Sequence, residues 1–294
     1  QDGCFIMSDA PVSSLPTVSI ICRTVFRDTL KETLASVTAQ TWPNIELIVV
    51  DAAGAGAQPL DLDESAYTLV SENIPLDRPR AANAGLNAAT GDYLLFLDDD
   101  DWISADHIQR LIDTLAASDA LACYSCTRKT LDDGTLTDEI IDEAFTAAKL
   151  RRDNFMPIHA VLFSRRLLNS DCKFDESLAV YEDWDFWLQC AQFTSFLKAP
   201  HIGAFYRMGG DSATMLEAHE QRYQPGHPMA DARAKVLHKW RNTWTGTQWN
   251  ELLGLVDQTP TLQKTHDELV SAHQTIGTAN AEIELLHGRL AELD

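Results

Sequence analysis

The chain has 294 residues, 23 of them basic and 44 acidic, which gives a formal charge of −21. That length suits one large α/β domain with appendages, and 45% hydrophobic side chains are enough for a sizeable core. Nucleic acid and anionic membrane surfaces are excluded as general partners, because a net charge of this sign repels both.

Residues 1–15 are expected to form an N-terminal leader, with 1–6 ahead of Met7 appended rather than native. No signal-peptide pattern or apolar run of about 18 residues occurs, so the chain is read as cytoplasmic. Cys123-Tyr124-Ser125-Cys126 has the spacing of a zinc ligand pair, but no second Cys or His pair lies near it. The six cysteines are therefore read as core thiols of a reducing compartment.

Thr17-Val18-Ser19-Ile20-Ile21-Cys22 reads as a first buried strand, followed by a loop over Thr24 to Arg27. Leu30, Leu34 and Val37 recur at helical spacing up to Pro43. A second strand, 46–51, ends on Asp51, so the first unit is a right-handed βαβ crossover and the sheet begins parallel. Residues 67–70 read as a short third strand, and Arg78-Pro79-Arg80 leads into a small-residue helix over 81–89.

The fourth strand carries the chemistry. Tyr93-Leu94-Leu95-Phe96-Leu97 is a buried run, and Asp98-Asp99-Asp100-Asp101-Trp102 follows it directly. Four adjacent carboxylates repel one another, and an acidic helix cap accounts for one or two of them at most. Hard oxygen ligands at the carboxyl end of a strand suit Mg²⁺ or Mn²⁺ carrying the phosphates of a substrate. Strands ending near Arg23, Asp51 and Asp98 predict one crevice at that edge of the sheet.

Next come a helix over 105–117, a strand over 120–127 and a hairpin turn at Asp133-Gly134. A strand is expected over 158–163, then a short helix or turn from Arg165. A second acidic focus, Glu182-Asp183-Trp184-Asp185, opens a helix with Trp184, Trp187 and Leu188 at helical spacing. The helix dipole alone favours acids in that first turn. A late strand, 203–207, runs into the loop Gly209-Gly210-Asp211-Ser212.

Residues 232–249 read as one helix with Val236, Leu237, Trp240 and Trp244 on one face. Packing on the domain is favoured for that face over a peripheral membrane site. Past Pro260, Leu262, Leu269, Ile276, Ile283 and Leu290 alternate with Thr265, Ala272, Ala279, Leu286 and Leu293. That is an a/d pattern over roughly four and a half heptads, expected to form a coiled coil that makes a homo-oligomer or a larger assembly. The expected domains are 16–230, a helical segment 231–258 and the heptad helix 261–294.

Several pieces, taken in order, resemble the family 2 nucleotide-sugar glycosyltransferases, an inverting group with the GT-A fold. They are Val18-Ser19-Ile20-Ile21, the stretch from Ser36 to Asp51, and Asn83 to Tyr93. Phe96 to Trp102, Phe174-Asp175-Glu176 and Glu182 to Leu188 complete the set. The resemblance spans Pro16 to Ser212. It implies an α/β fold with a Rossmann-like, mostly parallel central sheet flanked by helices, extended here by the C-terminal helical segment. It also implies a nucleotide-sugar donor and a saccharide or lipid-linked acceptor.

By the same resemblance, Asp98-x-Asp100 is the DxD motif, with Asp100 and Asp98 toward Mn²⁺ or Mg²⁺. Arg23, Thr24, Asp51, Arg80, Asn83, Asp98 and Asp99 fall on the donor nucleotide side. Asp183 takes the place of the general base, with Glu182 beside it. Read from the residues themselves, His159 either faces the acceptor or, the favoured reading, is a hydrogen-bonded structural histidine, and Trp184 with Trp187 offers a sugar-stacking floor on the acceptor side. The chain departs from the family pattern at several places. Arg23 stands for a Pro, Val25 for a base-stacking aromatic, and Ala52 for an Asp. Ala81-Ala82-Asn83 lacks an expected Arg, leaving Arg78 or Arg80 to meet phosphate. Met208-Gly209-Gly210-Asp211 lacks an expected His. Two other readings stand beside the transferase: a degenerate domain that binds sugar or organises an assembly, and a sugar-1-phosphate nucleotidyltransferase. The second wants a glycine-rich loop after strand one, which 23–27 does not supply.

Overall fold

The computed structural model describes residues 15–56, 58, 60, 62–209, 224 and 226–291. The expected leader up to residue 14 and the loop from Gly210 lie outside them. Among the described residues nine strands form one sheet in the order β3-β2-β1-β4-β8-β6-β9-β5, with β7 on β6.

β1 (Val18–Thr24) has every side chain buried, and β2 (Ile45–Asp51) and β3 (Thr68–Val70) extend it in parallel. β4 (Tyr93–Asp98) lies parallel on its other side, and its Leu94, Leu95, Phe96 and Leu97 are fully buried. Continuous apolar runs of this kind are what a strand covered on both faces requires. Between them, α1 (Leu30–Thr38) and α2 (Arg78–Ala88) make the crossovers. Asp77 caps α2 through the backbone N–H of Arg80 (3.1 Å).

β5 (Trp102–Ile103) is followed by α3 (His107–Ala116), which buries Ile108, Leu111, Ile112 and Leu115 as their spacing predicted. β6 (Ala122–Thr130) and β7 (Leu136–Ile141) form the expected hairpin, with Gly134 at φ 84° in its turn. α4 (Ala147–Arg152) leads to β8 (Val161–Ser164), which is antiparallel to β4 and β6. The strand expected from Ile158 starts three residues later, because 158–160 form a 3₁₀ turn that buries His159. α5 (Glu182–Cys190) carries the second acidic focus, and β9 (Phe196–Arg207) is longer than the expected 203–207. The second half of the sheet is mixed, so parallel and antiparallel pairings are balanced rather than mostly parallel.

Cys123 and Cys126 sit three apart on strand β6, where residues so spaced point to opposite faces. The Cys123 thiol donates to Leu111 O, while that of Cys126 donates to Asp142 Oδ1, so they share no ligand.

Aromatic rings fasten α5 to the sheet. Phe174 stacks on Phe186 (4.4 Å between centroids) and meets Phe96 edge-on (5.1 Å), while Phe163 packs against Phe186 and Trp187. The far side of α5 is held by α6 (Pro228–Trp240). There the fully buried Asp185 accepts from Lys239 Nζ (2.8 Å) and Trp240 Nε1 (2.8 Å).

The chain divides into two compact units, 1–241 and 242–294. The helix expected over 232–249 is interrupted at 241–245. A new helix, α7 (Gly246–Ala291), then runs through Pro260 without a break. Leu269 and Ile276 of the heptad pattern are exposed on it. Among the described residues no helix is long and apolar enough to cross a membrane.

Gly85 marks the tightest crossing of α2 over the sheet. A Cβ there would lie 2.2 Å from Ile21 Cγ2 and 3.2 Å from Val50 Cγ2. Gly85→Ala gains up to about 1 kcal/mol of helix propensity. Overpacking a filled core costs about 1–3 kcal/mol. Net destabilisation is therefore expected in a urea titration, and a variant more stable than wild type contradicts this packing.

Candidate active site

The register of the parallel strands sets Arg23 opposite Asp98 and Thr24 opposite Asp51, so three strand ends meet at one edge. Arg23 is the hub. Its Nε and Nη2 donate to the two oxygens of Asp98 (2.7 and 2.8 Å). Nη1 reaches Arg78 O (3.3 Å) at the head of α2 and Glu182 Oε1 (3.4 Å) at the head of α5. The two acidic foci, 84 residues apart in sequence, thus share one guanidinium.

The four aspartates have four environments. Burial works against the charge of Asp98, but Arg23 overcomes it and holds the carboxyl below its usual range. Asp99 is 1% exposed and turns back into the β1–α1 loop, accepting from Thr24 Oγ1 (2.8 Å), Val25 N (2.9 Å) and the Arg27 side chain. Asp101 accepts from Arg207 N (2.9 Å) and lies 3.0 Å from His159 Nδ1. Among the described residues only the exposed Arg27 has a cationic group near the carboxylate of Asp100, at 3.9 Å. Burial, then Asp101 and Asp98, push its pKa to about 7. Its position is nonetheless fixed, because Arg207 Nε donates to Asp100 O (2.9 Å) while Arg207 also binds Asp132 O and Glu32.

At the other focus, Asp183 Oδ2 accepts from Asn154 Nδ2 (2.7 Å) and Oδ1 from Trp184 N (2.7 Å). Burial first, then the neighbouring Glu182, raise its pKa to about 7. Glu182 is also raised by burial, against the pull of Arg23 and Arg78. Tyr181, with φ 62° in the left-handed region, turns the chain into α5 so that both acids fall in its first turn.

Several residues expected to meet substrate are instead committed to the scaffold. Thr24 and Asp99 hold each other. Asp51 gives its oxygens to Ser71 Oγ (2.7 Å), Gly56 N (2.8 Å) and Ala55 N (3.2 Å), shaping the loop after β2. Asn83 ties α2 to Phe174 and Glu176, whereas Arg80, its side chain 41% exposed, lies 3.7 Å from the exposed Glu72, beyond hydrogen-bond range, and stays available. Trp184 is fully buried with its Nε1 on Leu150 O (2.6 Å), so it offers no face to an acceptor. His159 is 1% exposed, stacked on Tyr206 and paired with Asp101, which makes it a structural histidine. The sequence reading missed Asn154 and Arg207, whose roles depend on contacts with no local signal. Arg27 carried only the signal of a charge in the loop after β1.

Among the described residues no three His, Cys, Asp or Glu side chains form a metal cluster. Asp98 has both oxygens on Arg23, which leaves Asp100 as the available carboxylate. One carboxylate with a raised pKa fits Mg²⁺ or Mn²⁺, which take one or two carboxylates and complete their shell with water and substrate phosphate.

Residues 17–169, just over half of the chain, match the family described as Glycosyl transferase family 2. EpsH of Bacillus subtilis, named as a glycosyltransferase, is 31% identical over 130 residues, covering 40% of this chain and 37% of that protein. The succinoglycan biosynthesis protein ExoO of Rhizobium meliloti is 28% identical over 197 residues, covering 60% of this chain and 56% of its own. The chain therefore spans about a third to a half of these relatives. Among solved structures, residues 1–349 of S. aureus TarS superpose with a TM-score of 0.52 at 17% identity, covering 82% of this chain and 80% of that one. The mannosyltransferase PcManGT from Pyrobaculum calidifontis, in complex with GDP-Man and Mn²⁺, gives 0.50 at 16% identity, covering 85% and 81%. The fold is that of the GT-A glycosyltransferases.

A pH dependence follows from Asp183. Its pKa of about 7 in the folded chain lies above the ordinary aspartate value of about 3.9, so between them the folded chain holds a proton the unfolded chain has lost. Stability contributed by this group therefore falls as pH rises through that window. Asp183→Asn removes the effect, and its Tm should exceed wild type by a margin that widens from about pH 5 to about pH 7.5. Thermal unfolding without divalent ions measures this; a margin independent of pH refutes the assignment.

Proposed function

This chain belongs to glycosyltransferase family 2, and we propose from that membership that it is a metal-dependent inverting transferase. It moves a sugar from a nucleoside-diphosphate donor to a saccharide or lipid-linked acceptor. The observation that carries this reading is the Arg23 bridge, which joins Asp98, first of the DxD acids, to Glu182, the neighbour of Asp183. An inverting transfer needs these two foci close together, one serving the leaving diphosphate and the other the incoming hydroxyl. TarS in complex with UDP-GlcNAc and PcManGT with GDP-Man and Mn²⁺ support a nucleotide-sugar donor and a divalent ion.

In this mechanism Asp183 is the base. Asn154 and Trp184 N fix its two oxygens, and a pKa of about 7 keeps it basic yet substantially ionised near neutrality. It takes the proton of the acceptor hydroxyl as that oxygen bonds to the anomeric carbon from the face opposite the diphosphate. The bond from that carbon to the phosphate oxygen breaks in the same displacement. Glu182, held by Arg23, keeps a second negative charge beside the base and so maintains its basicity. Asp100 would hold the divalent ion, which supplies charge neutralisation for the leaving diphosphate. Asp98 and the loop shaped by Asp51 would border the nucleoside, with Val25, 46% exposed, in place of a stacking ring.

The free thiols of Cys22, Cys123, Cys126, Cys172 and Cys190 support a reducing, cytoplasmic setting. The exposed Leu269 and Ile276, on a helix continuous from Gly246 to Ala291, support self-association through the heptads. Sedimentation should find wild type oligomeric and a chain cut after residue 260 monomeric; equal masses exclude this use of the heptads.

Asp183→Asn is expected to lower transfer about 10²–10⁴-fold while leaving donor binding intact. Asp100→Ala should abolish Mn²⁺-dependent donor binding. A mass-spectrometric screen of nucleotide-sugar turnover, paired with calorimetry, reads both. Full turnover in the first variant, or unchanged Mn²⁺-dependent binding in the second, removes the corresponding role.

A further inference from the structure

The cations around the aspartate run are unequally committed. Arg23 is 6% exposed and spent on Asp98, Glu182 and Arg78 O. Arg207 is equally buried and spent on Asp100 O, Asp132 O and Glu32. Arg78 stands on the side of Asp98, Glu182 and Asp183. Arg27 differs from Arg23 and Arg207 in being exposed, and from the likewise exposed Arg78 in standing beside Asp99 and Asp100. Its side chain is 43% exposed, and one nitrogen, Nη1, serves Asp99 Oδ1 while lying 3.9 Å from Asp100 Oδ2.

Asp99 takes one nitrogen of that guanidinium, Nη1, on its Oδ1. Its Oδ2 already accepts from Thr24 Oγ1 and Val25 N, with Arg27 N at 3.4 Å, and these bonds also fix the loop. A guanidinium carries five N–H donors in a planar fork that matches phosphate oxygens. Asp100 at 3.9 Å is beyond hydrogen-bond range, so it attracts the fork without consuming a donor. Among the described residues only Nη1 of that fork is engaged, and the side chain is 43% exposed beside the carboxylate assigned to the metal.

We propose that Arg27 is a catalytic residue that binds the donor diphosphate beside Asp100 and stabilises it as it leaves. The inference rests on the donor reading above. When the bond from the anomeric carbon to the phosphate oxygen breaks, its electron pair stays on that oxygen. The diphosphate gains one negative charge, which the fixed positive fork of Arg27 faces. Stabilising charge that develops during the reaction, with a donor already in place, is an effective use of a preorganised cation.

The test compares wild type, Arg27→Gln and Arg27→Lys, each checked for an unchanged circular dichroism spectrum. Calorimetry with Mn²⁺ measures binding of UDP, GDP, ADP, CDP and dTDP, and ligand-observed NMR measures the parent nucleosides. Arg27→Gln should weaken the bound diphosphate at least about ten-fold, leave the nucleoside unchanged, and leave Mn²⁺ alone bound as tightly or more so. Arg27→Lys should recover part of the loss. Equal diphosphate affinity in wild type and Arg27→Gln overturns the proposal while the donor reading stands. So does parallel loss of nucleoside affinity or of Mn²⁺ binding, either of which makes Arg27 a scaffold residue. If wild type binds no nucleoside diphosphate, the donor reading fails first and this one with it.

Discussion

A single buried guanidinium sets the geometry of the whole site. Arg23 ends the first strand, grips both oxygens of Asp98 and touches Glu182 at the start of α5, with its side chain 6% exposed. Taking these ions out of water carries a desolvation cost that their mutual attraction offsets only when geometry and hydrogen bonding are good. The two-point grip on Asp98 and the third contact to Arg78 O meet that condition. Removing the arginine would leave the buried Glu182 and the part-buried Asp98 without the cation that both of them contact. That is the kind of loss that costs about 3–5 kcal/mol.

The same constraint sorts the four aspartates that follow β4. Consecutive residues leaving a strand point in different directions, and each meets a different neighbour. Asp98 meets a cation, Asp99 a loop backbone, and Asp101 a histidine and a backbone N–H. Asp100 is left as the carboxylate with poor compensation and a raised pKa. Three of the four acids build the frame that holds the fourth in its unfavourable state. Perturbed carboxylates held in this way are where chemistry is expected.

Support for the second focus is mostly apolar. Phe96, Phe174, Phe186 and Trp187 lock α5 against the sheet, and Asp185 with Lys239 and Trp240 locks it from behind. Asp183 is thus carried on a helix that cannot shift without breaking a packed aromatic cluster. A base carried on a rigid element keeps its distance to the reacting atoms far better than one on a loop.

Local pattern was enough to determine the elements of the first half of the chain. The apolar runs at 20–22, 47–50 and 93–97 read as buried strands, and α3 showed its buried face in the spacing of Ile108, Leu111, Ile112 and Leu115. The motif order identified the family, and the strand ends near Arg23, Asp51 and Asp98 met as their lengths implied. The division of labour within the site was decided only by tertiary structure. Arg23 is 75 residues from Asp98 and 159 from Glu182, and Arg207 is 107 from the Asp100 carbonyl it holds. A carboxylate's charge state depends on which distant donor reaches it and how much water is excluded, and neither is a property of its neighbours in sequence. Hydrophobic periodicity is local and survives in the one-dimensional chain; electrostatic pairing exists only once the chain has folded.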